Sequence, residues 1–101
     1  MVKQELTTRL RTAIEHSPYR PSIKSVAVFG SHLHGTAGPD SDIDVLIDFT
    51  PEATIGLLEF IEIQEQLTAA LGRKVDLLTP QSLSKYFRNQ VLHEAQPVYE
   101  A

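Results

Sequence analysis

Four aspartates stand close together in the middle of the chain. Asp40, Asp42, Asp44 and Asp48 fall within nine consecutive positions, although the whole chain has only 13 acidic residues. Asp42 and Asp44 lie two apart in the run DIDVLIDF, and residues two apart on a strand share one face. Clustered carboxylates cannot all stay ionised unless a cation neutralises them or some of them take up protons. This segment is therefore either a solvated loop or the site of a positive group.

The chemistry that fits these acids is phosphoryl or nucleotidyl transfer. Oxygen-only ligands suit a hard cation, and two carboxylates on one strand face can bridge two Mg²⁺ ions about 3.5–4 Å apart. A third acid, Asp76, lies in the short apolar run KVDLLT. Gly30 and Ser31 end another apolar run, and such a turn offers backbone N–H groups and a hydroxyl to phosphate oxygens. Metal ligands beside a phosphate-binding turn point to a nucleoside triphosphate.

The elements that must position these residues follow from apolar periodicity and turn formers. Helices are predicted over residues 3–16, 54–71 and 81–95, and strands over 23–29, 42–49 and 74–79. Gly72 is placed as the residue that ends the long helix, and the tail QPVYEA is left without an element. The apolar stripe of the long helix is predicted to comprise Leu57, Phe60, Ile61, Leu67, Ala70 and Leu71.

Connection lengths predict how the strands pair. A helix of about five turns joins the second strand to the third, which is the usual crossover between parallel strands. The link from the first strand to the second is too short for such a crossover, so these two strands should be antiparallel. We therefore expect Gly30-Ser31 and the three aspartates 42, 44 and 76 at one edge of a sheet. The predicted class is α/β (α+β), a small mixed sheet flanked by helices in the order α-β-β-α-β-α, in one domain over 1–101 with its motif core at about 23–79.

Composition excludes several classes of function. The formal net charge of −4 has the wrong sign for binding nucleic acid through a broad basic surface. With no cysteine, a thiolate zinc site, a cysteine nucleophile and a disulfide framework are excluded. We find neither an apolar run long enough to span a membrane nor a signal peptide, and we expect a cytoplasmic location without membrane contact.

Other patterns have simpler explanations. Asp40-x-Asp42-x-Asp44 resembles the start of an EF-hand loop, but Val45 and Pro51 occupy the positions that require Gly and Glu. Neither a Walker P-loop nor a G-x-G-x-x-G fingerprint is present. The remaining polar residues are predicted to be a strand end, loop positions and helix surfaces: Asp48, His32, His34, His16, His93, Glu59, Glu62 and Glu65. Val98 and Tyr99 could either contact a partner or pack against the domain, and packing is favoured.

The motif residues resemble those of a known family. Gly30-Ser31, ten residues and then Asp42-Ile43-Asp44, preceded by the apolar run VAVF, resemble the signature of the nucleotidyltransferase superfamily that includes DNA polymerase β. Val75-Asp76-Leu77 is similar to its third carboxylate segment. The short chain, GPDSDIDVLIDF and LHEAQPVYE resemble the minimal nucleotidyltransferases, the MNT-type antitoxins that are paired with HEPN toxins. The resemblance covers residues 26–99.

This resemblance implies a polymerase β palm-like fold and an enzyme that moves AMP from ATP to a tyrosine of a HEPN toxin, whose ribonuclease activity it silences. Asp42, Asp44 and Asp76 would hold two Mg²⁺ ions, and Asp76 would also help to deprotonate the attacking hydroxyl. Gly30 and Ser31 would hold the β- and γ-phosphates. Two more residues, Gly35 and Ser41, are counted as nucleotide-binding. The implied partners are the toxin and ATP, and self-association is left open.

One departure from the family pattern concerns the position before Gly35, where many relatives have Arg and this chain has His34. Because histidine is mostly neutral at pH 7, ATP binding is hypothesised to be weaker or pH-dependent if that position touches the triphosphate. Two other functions compete with adenylyl transfer. The protein could be a binding module that neutralises its partner by occlusion, or a nucleotidyltransferase that acts on a small, aminoglycoside-like molecule.

Overall fold

The computed structural model describes residues 4–29, 42–86 and 88–101, and in these ranges it contains three α-helices and four β-strands. Short 3₁₀ turns at Arg20–Ser22 and Pro80–Ser82 precede β1 and follow β3. In chain order the elements are α1 (Gln4–Glu15), β1 (Ile23–Phe29), β2 (Ile43–Phe49), α2 (Leu57–Leu71), β3 (Val75–Leu78), α3 (Arg88–Glu94) and β4 (Gln96–Glu100).

The four strands form one mixed sheet in the order β3-β2-β1-β4. β2 and β3 are parallel, whereas β1 is antiparallel to both of its neighbours, β2 and β4. The two pairings that connection lengths predicted are thus confirmed. α2 is the crossover between β2 and β3, and it runs back along the sheet so that β3 starts at the same edge as β2.

One face of the sheet carries the core. In β2 the odd-numbered residues Ile43, Val45 and Ile47 are fully buried, because they face the layer that α1 and α2 form. The even-numbered residues point to the other face, where Leu46 is also buried but lies outside the main cluster. The core cluster comprises Leu10, Ala13, Ile14, Ile23, Val26, Val28, Ile43, Val45, Ile47, Ile63, Leu67, Leu71, Val75, Leu77 and Val98.

The predicted apolar stripe of α2 is wrong in part. Leu67 and Leu71 are buried and Phe60 packs against the core. Ile63, between Phe60 and Leu67, is also buried, and the prediction omitted it. This spacing of three and four residues is the helix face that meets the sheet. The predicted members outside that face are exposed: Leu57 at 74%, Ile61 at 39%, and Ala70.

The helix end was predicted correctly. Gly72 adopts a left-handed conformation with φ of 68°, and its N–H donates to the carbonyl oxygen of Thr68 at 2.9 Å. A residue without a Cβ adopts this conformation at little cost, so Gly72 ends α2 and turns the chain into β3.

The C-terminal part differs from the sequence prediction in two ways. The predicted helix over 81–95 is wrong in its first half, because the Ser82 hydroxyl bonds both the N–H and the carbonyl of Thr79 and closes a local turn. Leu83 is extended, with φ of −78° and ψ of 143°, and a helix forms only from Arg88. The tail QPVYEA is mostly a strand, β4, and Val98 is 1% exposed, which confirms the expected packing.

A polar contact joins the turn before β1 to α2. The Tyr19 hydroxyl donates to Glu62 Oε2 at 2.5 Å, and Tyr19 also packs against the core. This hydrogen bond, then desolvation and the negative charges of Glu62 and Glu59, raise the pKa of Tyr19 above its ordinary value. The surface positions predicted for His16 and His93 are confirmed.

Across the described ranges, no helix combines the length and the apolar character needed to cross a membrane.

Candidate active site

Asp44 and Asp76 lie directly opposite each other on neighbouring parallel strands. The register pairs Ile43 with Val75 and Asp44 with Asp76, so the two aspartates are separated by the spacing between strands, about 4.8 Å. Their strand neighbours Ile43, Val75 and Leu77 are buried in the core, which leaves both carboxylates on the opposite face. Asp76 is exposed and Asp44 is half-buried. The structure thus brings together two of the three predicted metal ligands.

Asp42 lies at the same edge, one residue before β2. It is two residues from Asp44 and therefore on the same face. Its side chain is 48% exposed, and Oδ2 lies 3.8 Å from Lys74 Nζ. The backbone holds this pair in place, because the N–H of Ile43 donates to the carbonyl of Lys74 at 2.9 Å.

β1 reaches this same edge and ends one residue before Gly30, which is predicted to bind phosphate. Phe29, the last residue of β1, is paired with Asp44. The chain therefore leaves β1 beside the carboxylates, as the antiparallel prediction requires. The other nucleotide-binding predictions, Gly30, Ser31, Gly35 and Ser41, lie outside the described residues, as does His34. Their roles stay predictions.

The chemistry of the donor set fits Mg²⁺. Asp42, Asp44 and Asp76 supply only carboxylate oxygens, which are the ligands that a hard cation prefers, and they come from two adjacent strand starts. In residues 4–29, 42–86 and 88–101, no three Asp, Glu, His or Cys side chains already converge on one point at metal-binding distance. These carboxylates therefore have to rotate towards a common ion in order to coordinate it.

Two further residues define the limits of the site. Asp48 shares a strand and a face with Asp44 but lies about 13 Å further along at 3.3 Å per residue, opposite Ser25. Sequence reasoning passed over Lys74, although the K-V-D spacing places it two residues before Asp76 and hence on the same face. The site is therefore a carboxylate edge with one basic residue built into it.

Comparisons with known proteins agree with this geometry. The family model described as a nucleotidyltransferase domain matches residues 8–98. Over 75 residues, 74% of each chain, the protein is 44% identical to the protein adenylyltransferase MntA of Thermococcus cleftensis. A solved structure assigned as a minimal nucleotidyltransferase is 36% identical, with a TM-score of 0.76 over 96% of each chain.

A complex of a tri-AMPylated HEPN toxin with an MNT antitoxin from Shewanella oneidensis contains the same fold. Its TM-score is 0.66 at 21% identity, over 95% of this chain and 73% of that one. The predicted mixed α/β class, the predicted enzyme class and the resemblance drawn from the motifs are thereby confirmed. Motif, sheet register and sequence similarity lead to one conclusion: the chain belongs to the nucleotidyltransferase family.

Proposed function

We propose that this protein transfers AMP from ATP to a tyrosine hydroxyl of a HEPN-type toxin and thereby acts as its antitoxin. Asp42, Asp44 and Asp76 are the proposed ligands of two Mg²⁺ ions. The names of two relatives support this proposal: an MntA protein adenylyltransferase at 44% identity, and a HEPN toxin found AMPylated in complex with an antitoxin of the same fold.

The observation that carries the proposal is the pairing of Asp44 with Asp76. Backbone hydrogen bonds between β2 and β3, whose odd-numbered residues are buried, set the separation of the two aspartates, and their carboxylates need only rotate towards a common ion. Asp42 extends the same face by two residues, and β1 ends with Phe29 paired to Asp44, one residue before the predicted nucleotide-binding pair Gly30-Ser31. A structural role alone does not explain three acids on one face beside the end of β1.

The residues divide the reaction between them. The acceptor oxygen forms a bond to the α-phosphorus of ATP as the bond from that phosphorus to pyrophosphate breaks. Asp76, the exposed acid opposite Asp44, accepts the proton of the hydroxyl. Gly30 and Ser31 are proposed to hold the β- and γ-phosphates. Bound Mg²⁺ supplies charge neutralisation for the triphosphate and for the leaving group.

The acceptor hydroxyl is proposed to come from another protein. Asp76 is exposed and Asp42 is about half exposed, so the carboxylate edge is open to a large neighbouring molecule. A partner that presents its own tyrosine needs no acceptor-binding domain on this chain. In this arrangement most of the catalytic effect comes from positioning and charge neutralisation.

The proposal can be tested by intact mass spectrometry of the co-purified partner after incubation with ATP and Mg²⁺. We expect mass increments of one AMP moiety per modified tyrosine. Asp44→Asn should abolish them, whereas Asp48→Asn, on the same strand and face, should leave them unchanged. Equal activity in the two variants would contradict the assignment of the site.

The same experiment separates the competing functions. Inhibition of the partner without any mass increment, and insensitive to Asp44→Asn, would indicate occlusion instead of adenylyl transfer. Transfer of AMP only to added small hydroxyl compounds, with the partner unmodified, would indicate a small-molecule nucleotidyltransferase.

A further inference from the structure

We propose that Lys74 is a resident cation of the carboxylate edge. It pairs with Asp42 while no metal is bound, and when a divalent ion takes Asp42 its ammonium group moves to the phosphates of the bound nucleotide. This inference rests on the proposed function and assigns a positioning role to a residue outside the predicted site.

The geometry places Lys74 inside the site. Asp42 and Lys74 lie across from each other two residues before the pair formed by Asp44 and Asp76, as the hydrogen bond from Ile43 N to Lys74 O shows. On each strand the two residues are two positions apart, about 6.6 Å at 3.3 Å per residue, and so share a face. Three carboxylates and one ammonium therefore form a four-membered cluster on one open face.

The ion pair between Lys74 and Asp42 is weak enough for a metal ion to displace it. Its N–O distance is 3.8 Å, and the two side chains are 75% and 48% exposed, for Lys74 and Asp42 respectively. An exposed pair of this length gains little from its Coulomb attraction, because water screens the charges and both side chains lose rotamer freedom. A divalent ion can therefore displace Lys74 at small cost. Until then the ammonium reduces the repulsion between the neighbouring carboxylates.

A displaced Lys74 remains close to the reacting groups. Its ammonium is a hydrated point charge on a flexible four-carbon stem, which suits a phosphate oxygen whose position changes as pyrophosphate leaves. The preceding basic residue cannot take this part, because Arg73 lines a groove with Glu5, Leu6 and Leu71 between α1 and the end of α2. Because consecutive residues point to opposite sides of an extended chain, Arg73 and Lys74 have different surroundings.

The test measures metal binding without any turnover. Mn²⁺ is titrated into the nucleotide-free protein and followed by electron paramagnetic resonance of the unbound ion. Lys74→Met should bind Mn²⁺ about three- to fivefold more tightly than the wild type, because the competing charge is gone. Lys74→Arg should keep the wild-type affinity. Lys24→Met is the matched control, since Lys24 is an exposed residue at the opposite end of β1.

Added salt provides a second readout of the same competition. The advantage of Lys74→Met should shrink as ionic strength rises, because salt screens an exposed ion pair. A merely structural contribution of Lys74 to the loop before β3 would not show this dependence.

Binding of a non-hydrolysable ATP analogue tests the second half of the proposal. With Mn²⁺ held at saturation, Lys74→Met should bind the analogue roughly fivefold more weakly, and Lys74→Arg should restore most of the affinity. The two effects of Lys74→Met thus have opposite signs.

The outcomes separate the two levels of inference. Unchanged Mn²⁺ affinity in Lys74→Met, with normal saturation in the wild type, overturns the role of Lys74 and leaves the proposed function intact. Tighter Mn²⁺ binding with unchanged analogue binding overturns the movement to phosphate. A wild-type protein that binds no Mn²⁺, with or without the analogue, overturns the proposed function and this inference with it.

Discussion

Asp76 occupies a position where a chemical role and a structural role can be separated. Its side chain is exposed at the second residue of β3, whereas its neighbours Val75 and Leu77 are buried. Substitution there removes one acid from the carboxylate edge without opening the core. Changes at this residue should therefore report on chemistry alone.

We expect Asp76→Asn to lower the rate of AMP transfer by about 10²–10⁴, because the variant lacks the proposed proton acceptor, which is also one of the proposed metal ligands. The free energy of unfolding should stay within about 0.5 kcal/mol of the wild type, since the residue is exposed. Single-turnover mass spectrometry gives the rate and urea denaturation gives the stability. A variant that is inactive because it is unfolded would count against this separation.

The contact of Tyr19 with Glu62 should make the stability of the fold decrease at alkaline pH. The hydrogen bond to Glu62 raises the pKa of Tyr19 in the folded state above its value in the unfolded chain. The contact therefore contributes its full stabilisation below the unfolded-state pKa of about 10 and loses it as pH rises through the higher folded-state pKa.

Tyr19→Phe should reduce stability near neutral pH and should weaken the loss of stability above about pH 10. Urea midpoints measured from pH 8 to 11 for the wild type and for the variant give this difference directly. Tyr86→Phe is the control, because Tyr86 is 81% exposed. If Tyr19→Phe and the wild type lose stability in parallel over this pH range, the ionisation of Tyr19 does not contribute to the pH dependence of stability.

At the residue scale, the sequence predicted the acids better than their surroundings. The placement of Asp42, Asp44 and Asp76 at one edge of the sheet could be predicted because strand parity and motif spacing are local properties of the chain. Lys74 was missed because a lysine beside a strand is usually solvated, and only the register between β2 and β3 shows that it faces Asp42.

Among the elements, α2 depends most clearly on a single residue. Gly72 has a φ of 68° and nothing lies within 4 Å of the place where a Cβ would be, so strain alone decides the effect of substitution. Gly72→Ala should lower the free energy of unfolding by about 1 kcal/mol, the cost of placing an L-residue in the left-handed region. Gly72→Asn should cost less, because asparagine tolerates this conformation. Thermal or urea unfolding distinguishes the two, and equal effects would contradict this reason.

Elements whose signals are local were predicted almost to the residue. The strand over 23–29 matches β1, since its β-branched run is bounded by a proline-rich turn and a glycine. β4 could not be predicted, because QPVYE contains a proline and acquires its strand conformation by pairing with β1, some 70 residues away along the chain. The last helix starts late because Ser82 closes a turn that its sequence shares with a helix start.

On the scale of the whole molecule, stability comes from the layer of α1 and α2 on one side of the sheet. Leu67 is fully buried in this layer, whereas Leu57 on the same helix is 74% exposed. Leu67→Ala should lower the free energy of unfolding by about 2–5 kcal/mol, and Leu57→Ala should change it by less than about 0.5 kcal/mol. Chemical denaturation of both variants gives these free energies of unfolding. Similar losses of stability in the two variants would indicate that α2 packs on the sheet through a different face.

The arrangement of the whole sheet was predictable only where the chain itself limits the choices. The predicted helix of about five turns between the second and third strands favours a parallel pair, and the short link after the first strand favours an antiparallel one. No such limit applies to the segment between β3 and β4, which joins the two outer strands of the sheet. Its path depends on long-range packing that periodicity does not encode.

The register between β2 and β3 determines how strongly a misfolded form of the protein is destabilised. If β3 slid by one residue, Val75 and Leu77 would leave the interior and the charge of Asp76 would enter it. A protein with a misaligned carboxylate edge would therefore also be badly folded, and cellular proteases would degrade it in preference to the correctly folded form.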